Sequence, residues 1–246
     1  MSVDSEYWAR YYGVTVERPA WETVRVAIDR FKAEDDAAAG SGLERRPRRE
    51  RLAVDLGCGA GRDARELLRV GWRVLAVDRE PAALQALAAA AGPMLGARLE
   101  TRMGDLATVE IPPCDLVNAS LCLPFLAPEP YAATWRRIVS ALKPGSRFAA
   151  MLFGDHDASA ADETMTCQSP ERIEADFAGF GYRVLARQGG GLADRARRAA
   201  PSPPHRGRGA QGSIARSRAP LILVALGGRP GGPPGQLARL RAILSV

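Results

Sequence analysis

The chain has few of the residues that build metal centres and disulfide frameworks. Its 246 residues include only four cysteines and two histidines, and no two cysteines form a Cys-x-x-Cys pair. We therefore expect neither a metal site nor a set of structural disulfides. The cysteines are expected to serve as small apolar side chains in strands and turns. They are Cys58, Cys114, Cys122 and Cys167.

Long apolar stretches are also absent from the sequence. No run approaches the roughly 18 apolar residues that a membrane span needs. The first residues, MSVDSEYW, carry acidic side chains where a secretory signal carries basic ones. The sequence therefore predicts a cytoplasmic protein with no membrane partner.

Lysine is nearly missing, and the basic charge is unevenly placed. The chain has 2 Lys against 32 Arg, and its net charge is +6. Residues 1–188 carry 24 Lys and Arg against 27 Asp and Glu, whereas residues 189–246 carry ten Arg and one Asp. Because the larger part is mildly acidic, its charge argues against a nucleic-acid partner.

Apolar periodicity predicts alternating strands and helices through the middle of the chain. Helical spacing first appears in residues 20–33, and the polar stretch 36–50 is predicted to be a loop. Strands are predicted at 51–56, 73–78, 97–103, 114–120, 147–153 and 182–187, with helices at 62–70, 81–92, 129–142 and 169–180. This order predicts an α/β fold, a three-layer αβα Rossmann-like sandwich with a mostly parallel, nominally seven-stranded sheet. Ligands of such sheets bind at the carboxyl ends of the strands.

The C-terminal quarter differs in composition, and its strands are the least defined part of the predicted sheet. Residues 188–220 are rich in Gly, Arg, Ala, Pro and Ser, and no aromatic residue follows Tyr182. The segment 221–226, LILVAL, can supply a missing last strand, and 236–244 a short helix. Two interpretations stay open: a frame slip near residues 187–191 of a GC-rich gene, or a genuine basic tail that contacts RNA or lipid.

These boundaries divide the chain into three parts. Residues 1–50 are predicted to form an N-terminal helical lid and linker, and residues 51–187 the ligand-binding domain. Residues 188–246 form an irregular tail, either disordered or frame-shifted.

A glycine-rich turn follows the first predicted strand. The sequence DLGCGAGRD, residues 55–63, has the pattern Asp-x-Gly-x-Gly-x-Gly. Alternate glycines allow a sharp turn and a close backbone approach to a ligand, and the next helix directs free N–H groups to the same place. A dinucleotide-binding turn would need glycine at position 62, where this chain has Arg62.

The second predicted strand ends in an acid, Asp78, 23 residues after Asp55. A carboxylate at that strand end can accept hydrogen bonds from both hydroxyls of a ribose. The succession of strand, glycine turn, helix, strand and acid predicts a ligand that contains a nucleoside.

With these motifs the sequence resembles the class I S-adenosylmethionine-dependent methyltransferases. The likeness extends over about residues 7–187. Its motifs are VDLGCGAGRDA (54–64), LAVDREPAAL (75–84), GDL (104–106), CDLVNASLCLPFL (114–126) and LKPGSRFAAMLF (142–153). Gly61-Arg62-Asp63 and Asn118-Ala119-Ser120 are similar to the small-molecule branch that includes tellurite-resistance and thiopurine-type methyltransferases.

The resemblance implies S-adenosylmethionine as cofactor and a role for each matching position. Asp55 and the glycine turn would surround the methionine moiety, and Asp78 would hold the ribose. Asp105 and the Leu106 backbone would lie at the adenine, and Asn118 near the sulfonium. The implied cofactor-binding residues are Asp55, Gly57, Cys58, Gly59, Gly61, Asp78, Arg79, Asp105, Leu106 and Asn118.

An aromatic cluster near the start of the chain has two interpretations. It would form a lid over the pocket, or it would simply pack an N-terminal helix. The residues are Tyr7, Trp8, Tyr11 and Tyr12.

No catalytic residue is assigned. Methyl transfer from an activated cofactor depends on alignment rather than on a triad. His156 is either a base or a surface-loop residue. Asn118-Ala119-Ser120-Leu121 departs from the Asn/Asp-Pro-Pro-aromatic signature of base-amine methyltransferases, which favours a small-molecule acceptor. An inactive cofactor-binding scaffold and an RNA methyltransferase that uses the basic tail are the alternatives.

Overall fold

The computed structural model describes residues 12, 17–40, 50–155, 157, 159–177, 181–184 and 221–226. The helices are α1 Glu22–Gly40, α2 Arg62–Arg69, α3 Pro81–Gly96, α4 Pro128–Ala141 and α5 Pro170–Asp176. The strands are β1 Leu52–Leu56, β2 Arg73–Asp78, β3 Leu99–Met103, β4 Cys114–Ser120, β5 Leu142–Gly154, β6 Cys167–Gln168, β7 Gly181–Val184 and β8 Leu221–Leu226. A 3-10 turn covers Leu123–Phe125.

The strands form one mostly parallel sheet in the order β3-β2-β1-β4-β5-β8-β7. Strands β1 to β5 run parallel to their neighbours, whereas β8 lies antiparallel to both β5 and β7. The short strand β6 pairs with the end of β5. The order reverses between β1 and β4, which is where sheets of this type bind ligands.

Helices cover both faces of the sheet. Successive strand residues alternate between two apolar clusters, as the pleat of a strand requires. Val54 and Val117 pack with apolar residues of α4 and α5, whereas Ala53 and Leu116 pack with those of α1, α2 and α3. The predicted three-layer α/β architecture with a mostly parallel sheet is therefore confirmed.

Helix α1 extends well past its predicted end. The sequence predicts a helix over 20–33 and a loop over 36–50, but the helix continues to Gly40. The alanines of this stretch favour helix, and their small side chains carry no apolar periodicity that would reveal it. Asp35 also accepts two hydrogen bonds from Arg51, at 2.7 and 2.5 Å, which fixes the last turns against the sheet.

The predicted stop at Gly92 is a kink rather than an end. Gly92 leaves helical geometry with φ 63° and ψ −179°, and helical structure resumes at Pro93 and continues to Gly96. Proline suits the first turn of a new helical segment because that position needs no N–H donor.

Strands β5 and β6 differ from the predictions. Strand β5 begins at Leu142, ahead of its predicted start at 147, so the Pro144-Gly145 turn lies inside the strand. Strand β6 is not predicted, because two residues carry no periodicity. The predicted last strand, 221–226, is observed and pairs with β5.

Several predictions fall outside the described residues. They include His156, the aromatics Tyr7, Trp8 and Tyr11, the frame slip at 187–191 and the helix at 236–244. Within the described ranges, no helix has the length and apolarity that crossing a membrane requires. The same residues contain no group of three or more side chains arranged to hold a metal ion.

Candidate functional site

The glycine turn connects β1 to α2 at the centre of the sheet. The Cys58 N–H donates to the Val77 carbonyl at 3.0 Å, which joins the turn to β2. Gly57 and Gly59 have φ of 62° and 53°, a region that side-chain-bearing residues rarely adopt. A Cβ at Gly57 would lie 2.4 Å from the Cys122 Cβ, and one at Gly59 would lie 2.8 Å from Cε1 of Tyr12. Both glycines are therefore required by close protein neighbours as well as by the turn.

Asp78, the last residue of β2, braces this turn. Its Oδ2 accepts the Gly59 N–H at 2.8 Å, and its Oδ1 accepts the Glu80 N–H at 3.0 Å. Burial raises the pKa of the Asp78 carboxyl, and the backbone donors oppose that shift. Arg79, the next residue, has a half-exposed side chain 3.7 Å from Glu80.

A buried amide joins two further carboxyls beneath the turn. The Asn118 Nδ2 donates to Asp55 Oδ1 at 2.7 Å and to Asp63 Oδ2 at 3.0 Å. The Asn118 Oδ1 accepts the Ser120 hydroxyl at 3.1 Å. One side chain thus connects β1, α2 and β4, and its polar atoms are used internally.

This part of the site is short of positive charge. Asp55 is 1% exposed, and its Oδ2 has no hydrogen-bond partner among the described residues. Burial and the charge of Asp63 raise the pKa of Asp55 well above its usual value, and burial also raises the pKa of Asp63. A cationic ligand group beside these carboxyls would favour their ionised forms and offset the cost of burying them.

Arg62 and Asp63 hold Pro19 and Trp21, which lie just before α1. Arg62 Nε donates to the Pro19 carbonyl at 2.6 Å, and its guanidinium lies 3.7 Å from the centre of the Trp21 ring. Asp63 Oδ1 accepts the Trp21 N–H at 2.8 Å. The Tyr12 ring also packs on Gly59, so it covers part of the glycine turn.

The next part of the site is the loop that follows β3. The Gly104 N–H donates to the Asp78 carbonyl at 3.0 Å, so this loop adjoins the end of β2. Asp105 is exposed, and its Oδ1 accepts the Ala107 N–H at 2.7 Å. The Leu106 carbonyl accepts hydrogen bonds from α4, described next.

Two residues of α4 fix the peptide of Leu106. Arg137 Nη2 donates to the Leu106 carbonyl at 2.7 Å and to Thr134 Oγ1 at 3.0 Å. The single hydrogen of the Thr134 hydroxyl is shared between the Pro130 carbonyl at 2.8 Å and the Leu106 carbonyl at 3.1 Å. Sequence reasoning missed both residues, because a polar residue on an amphipathic helix gives no sign of the loop it contacts.

The carboxyl ends of β4 and β5 form an aromatic wall beside the turn. Leu121 has φ 56°, the one positive φ of a non-glycine residue in the described chain, and strain of this kind often marks functional sites. Phe125 and Phe153 meet edge to face with ring centres 6.0 Å apart. Phe125 is 42% exposed although it is apolar.

The structure brings most of the predicted residues together. Direct hydrogen bonds or packing connect the glycine turn with Asp55, Asp78 and Asn118, and the Gly104 contact brings Asp105 and Leu106 alongside. Sequence reasoning assigned no role to the side chain of Asp63. The available signal was an acid in the first turn of a helix, one residue after the glycine pattern.

Comparison with known proteins gives a family match over part of the chain. Residues 53–145 match the family model described as a methyltransferase domain. No curated protein matches the chain.

Solved structures show a similar fold at low sequence identity. TehB from Haemophilus influenzae has a TM-score of 0.53 at 13% identity, with coverage of 81% of this chain and 62% of that one. An S-adenosylmethionine-dependent methyltransferase from Mesorhizobium loti has a TM-score of 0.51 at 19% identity, with coverage of 72% and 91%. A TehB-like resemblance is thus seen at the level of the fold.

Some of the matched proteins are considerably longer. An O-methyltransferase family 2 protein from Planctomyces limnophilus, at 17% identity and a TM-score of 0.48, is matched over 72% of this chain. The chain spans 50% of the length of that protein and 62% of the length of TehB.

Proposed function

We propose that this chain carries a class I S-adenosylmethionine-dependent methyltransferase domain. We propose further that it transfers a methyl group to a small-molecule acceptor. The cofactor would bind at the glycine turn, across the carboxyl ends of β1, β2 and β4. When bound, S-adenosylmethionine supplies a methyl group activated by its sulfonium.

One observation carries the proposal: among the described residues, the Oδ2 of Asp55 beneath the glycine turn has no hydrogen-bond partner. A buried carboxyl oxygen without a donor is costly, and a cationic or N–H-bearing ligand removes that cost. The cofactor carries two such features, a sulfonium and the ammonium of its methionine moiety. The carboxyl oxygens are therefore suited to this ligand in charge and as hydrogen-bond acceptors.

Asp78 is suited to the ribose. Each of its oxygens accepts one backbone N–H, and each retains a lone pair for a hydroxyl donor. Its backbone bonds also hold the carboxylate in one orientation, so ligand binding would require little rearrangement.

Asp105 and Leu106 are proposed to hold the adenine at the next strand end. The two donors from α4 fix the Leu106 peptide, and the turn within residues 105–109 presents the Asp105 carboxylate to solvent. Asn118 would lie under the sulfonium, where it keeps Asp55 and Asp63 in place.

The protein's contribution to the reaction would be alignment and exclusion of water. Tyr12 and the residues held by Arg62 and Asp63, Pro19 and Trp21, would cover one side, and the aromatic wall of Phe125 and Phe153 would border the other. Alignment of this kind can supply up to roughly 7–11 kcal/mol, which explains why no triad is needed.

Calorimetry tests the cofactor part of the proposal. S-adenosylhomocysteine should bind, and NAD should not. Asp78→Ala should weaken binding of S-adenosylhomocysteine by about 1–3 kcal/mol, because ribose hydroxyls lose their acceptor. Asp29→Ala, which removes an exposed carboxylate on α1, is the matched control and should bind like the unaltered protein.

Transfer of label from methyl-labelled cofactor to a panel of metabolites tests the activity. Labelled product indicates an enzyme, whereas cofactor binding without any labelled product indicates the inactive scaffold. Failure of S-adenosylhomocysteine to bind at all would contradict both interpretations.

A further inference from the structure

Gln168 is a buried amide whose side chain has no described partner. The residue is 1% exposed, and neither Oε1 nor Nε2 makes a hydrogen bond among the residues that the structure describes. Only its backbone is engaged, because its carbonyl accepts the Asp155 N–H at 3.0 Å. Buried amides are nearly always hydrogen-bonded, so this side chain requires an explanation.

The position of Gln168 points to the acceptor side of the site. In the register of β5 and β6, Gln168 lies opposite Gly154, and Cys167 opposite Phe153. Strand β5 is also the neighbour of β4, where Asn118 and Ser120 lie. Gln168 therefore lies beside the carboxyl end of β5, next to the strand that carries Asn118.

The loop after β4 is joined to the same strand. Thr166 donates its N–H to the Pro124 carbonyl at 2.9 Å and its hydroxyl to the Leu126 carbonyl at 2.6 Å. These bonds hold the 3-10 turn that carries Phe125 against β6. The aromatic wall and the unpartnered amide thus belong to one unit.

The charge at this edge is negative. The pKa of Cys167 is raised to about 11, first by burial and then by the nearby acids Asp157, Asp155 and Asp162. Its thiol therefore stays protonated at neutral pH and does not compete with an acceptor for the methyl group. The same acids disfavour an acceptor that is itself an anion.

We propose that Gln168 is the polar anchor of the acceptor site, and that the acceptor is a planar, uncharged ring compound with a hydrogen-bond donor beside an acceptor. This inference rests on the proposed methyltransferase function. A primary amide offers N–H and C=O groups side by side, so it matches a lactam or a similar edge with two hydrogen bonds. An aromatic wall favours a flat ring over an aliphatic chain.

The test uses protein saturated with S-adenosylhomocysteine and two probes. The probes are 2-quinolone, which has adjacent N–H and C=O groups, and N-methyl-2-quinolone, which lacks the donor. Dissociation constants are measured by NMR titration for the unaltered protein and for Gln168→Leu. Because leucine removes two unpaired buried atoms, this variant should keep its melting temperature or raise it.

The unaltered protein should bind 2-quinolone at least about tenfold more tightly than its N-methyl analogue. Gln168→Leu should lose this difference while it binds S-adenosylhomocysteine as before. Cys167→Ser, a change on the same short strand, should retain the difference and serves as the control. Equal binding of both probes by the unaltered protein, or continued discrimination by Gln168→Leu, would overturn the assignment.

The two proposals fail in different ways. If S-adenosylhomocysteine binds and the probes are not distinguished, only the acceptor inference is wrong. If S-adenosylhomocysteine does not bind the unaltered protein, the cofactor proposal fails and the acceptor inference falls with it.

Discussion

The two halves of the site differ in how completely their polar groups are paired. Around the glycine turn, Asp78 and Asn118 make bonds that connect three elements, and one carboxyl oxygen of Asp55 is left over. At the end of β5, both side-chain atoms of Gln168 are without a described partner. The half around the glycine turn is held by internal hydrogen bonds and is rigid before a ligand binds. In the other half, the buried amide of Gln168 would need a ligand to complete its hydrogen bonds.

This contrast suits a domain that combines a common cofactor with a particular acceptor. The proposed cofactor side is set by local motifs whose hydrogen bonds lie within the chain itself. The acceptor side is set by a loop, a two-residue strand and an aromatic pair, which can change without disturbing the turn. Function in such folds is decided by sites of this second kind.

The largest effect is expected from a substitution in the rigid half of the site, at the glycine turn. Gly57→Ala would place a methyl group 2.4 Å from the Cys122 Cβ at a backbone φ of 62°. Strain and overpacking together should lower the free energy of unfolding by about 2–4 kcal/mol and abolish S-adenosylhomocysteine binding. Urea denaturation and calorimetry measure the two effects.

Gly96→Ala is the matched control, because no atom lies within 4 Å of a Cβ built there and its φ is not positive. It should change stability by less than about 0.5 kcal/mol. A Gly57→Ala protein as stable as this control would show that the turn is not rigid.

A second prediction concerns the uncompensated charge beneath the turn. Asp55 has a raised pKa in the folded protein, so the folded state binds its proton more tightly than the unfolded state does. The stability of the ligand-free protein should therefore fall as pH rises from about 4 through the raised folded pKa. Asp55→Asn removes this titrating carboxyl and should stabilise the ligand-free protein near pH 7 by about 1–2 kcal/mol.

Melting temperatures across this pH range, compared between the two proteins, measure the effect. The same variant should bind S-adenosylhomocysteine less tightly, because it lacks the negative charge. A variant that is less stable at pH 7 and binds equally well would show that Asp55 is structural only.

The smallest expected effect concerns the adenine end. Thr134→Val removes the hydroxyl that contacts the Leu106 carbonyl and accepts a hydrogen bond from Arg137, and should weaken S-adenosylhomocysteine binding by about 1 kcal/mol. Arg136→Met, a change at an exposed position of the same helix, is the control and should have no effect. Calorimetry that finds equal losses for both variants would rule out a specific role for this contact.

The sequence predicts the cofactor half much better than the acceptor half, for a physical reason. Strands β2 and β4 have the predicted bounds, because an apolar run that ends in a turn is a local signal. The strand-end acids Asp55 and Asp78 are likewise adjacent to recognisable glycines. Thr134 is connected to the loop after β3 only by contacts across many residues, and the proposed role of Gln168 depends on its position in the sheet, neither of which a local pattern encodes.

Helix α1 shows the same limit in secondary structure. Its apolar spacing ends near residue 33, yet the helix continues to Gly40, and Asp35 in this extension accepts hydrogen bonds from Arg51, which directly precedes β1. Such a contact overrides a local pattern of polar residues, so the predicted loop at 36–50 begins too early. Element types are predictable here, whereas their ends depend on tertiary partners.

The position of β8 between β5 and β7 has a consequence for how the chain is made. During translation, residues 142–154 emerge long before the strand that covers their open edge, and until residue 226 leaves the ribosome that edge can pair with other polypeptides. Newly synthesised chains that stop short of this strand should accumulate in inclusion bodies, although every residue of the cofactor site has already been incorporated.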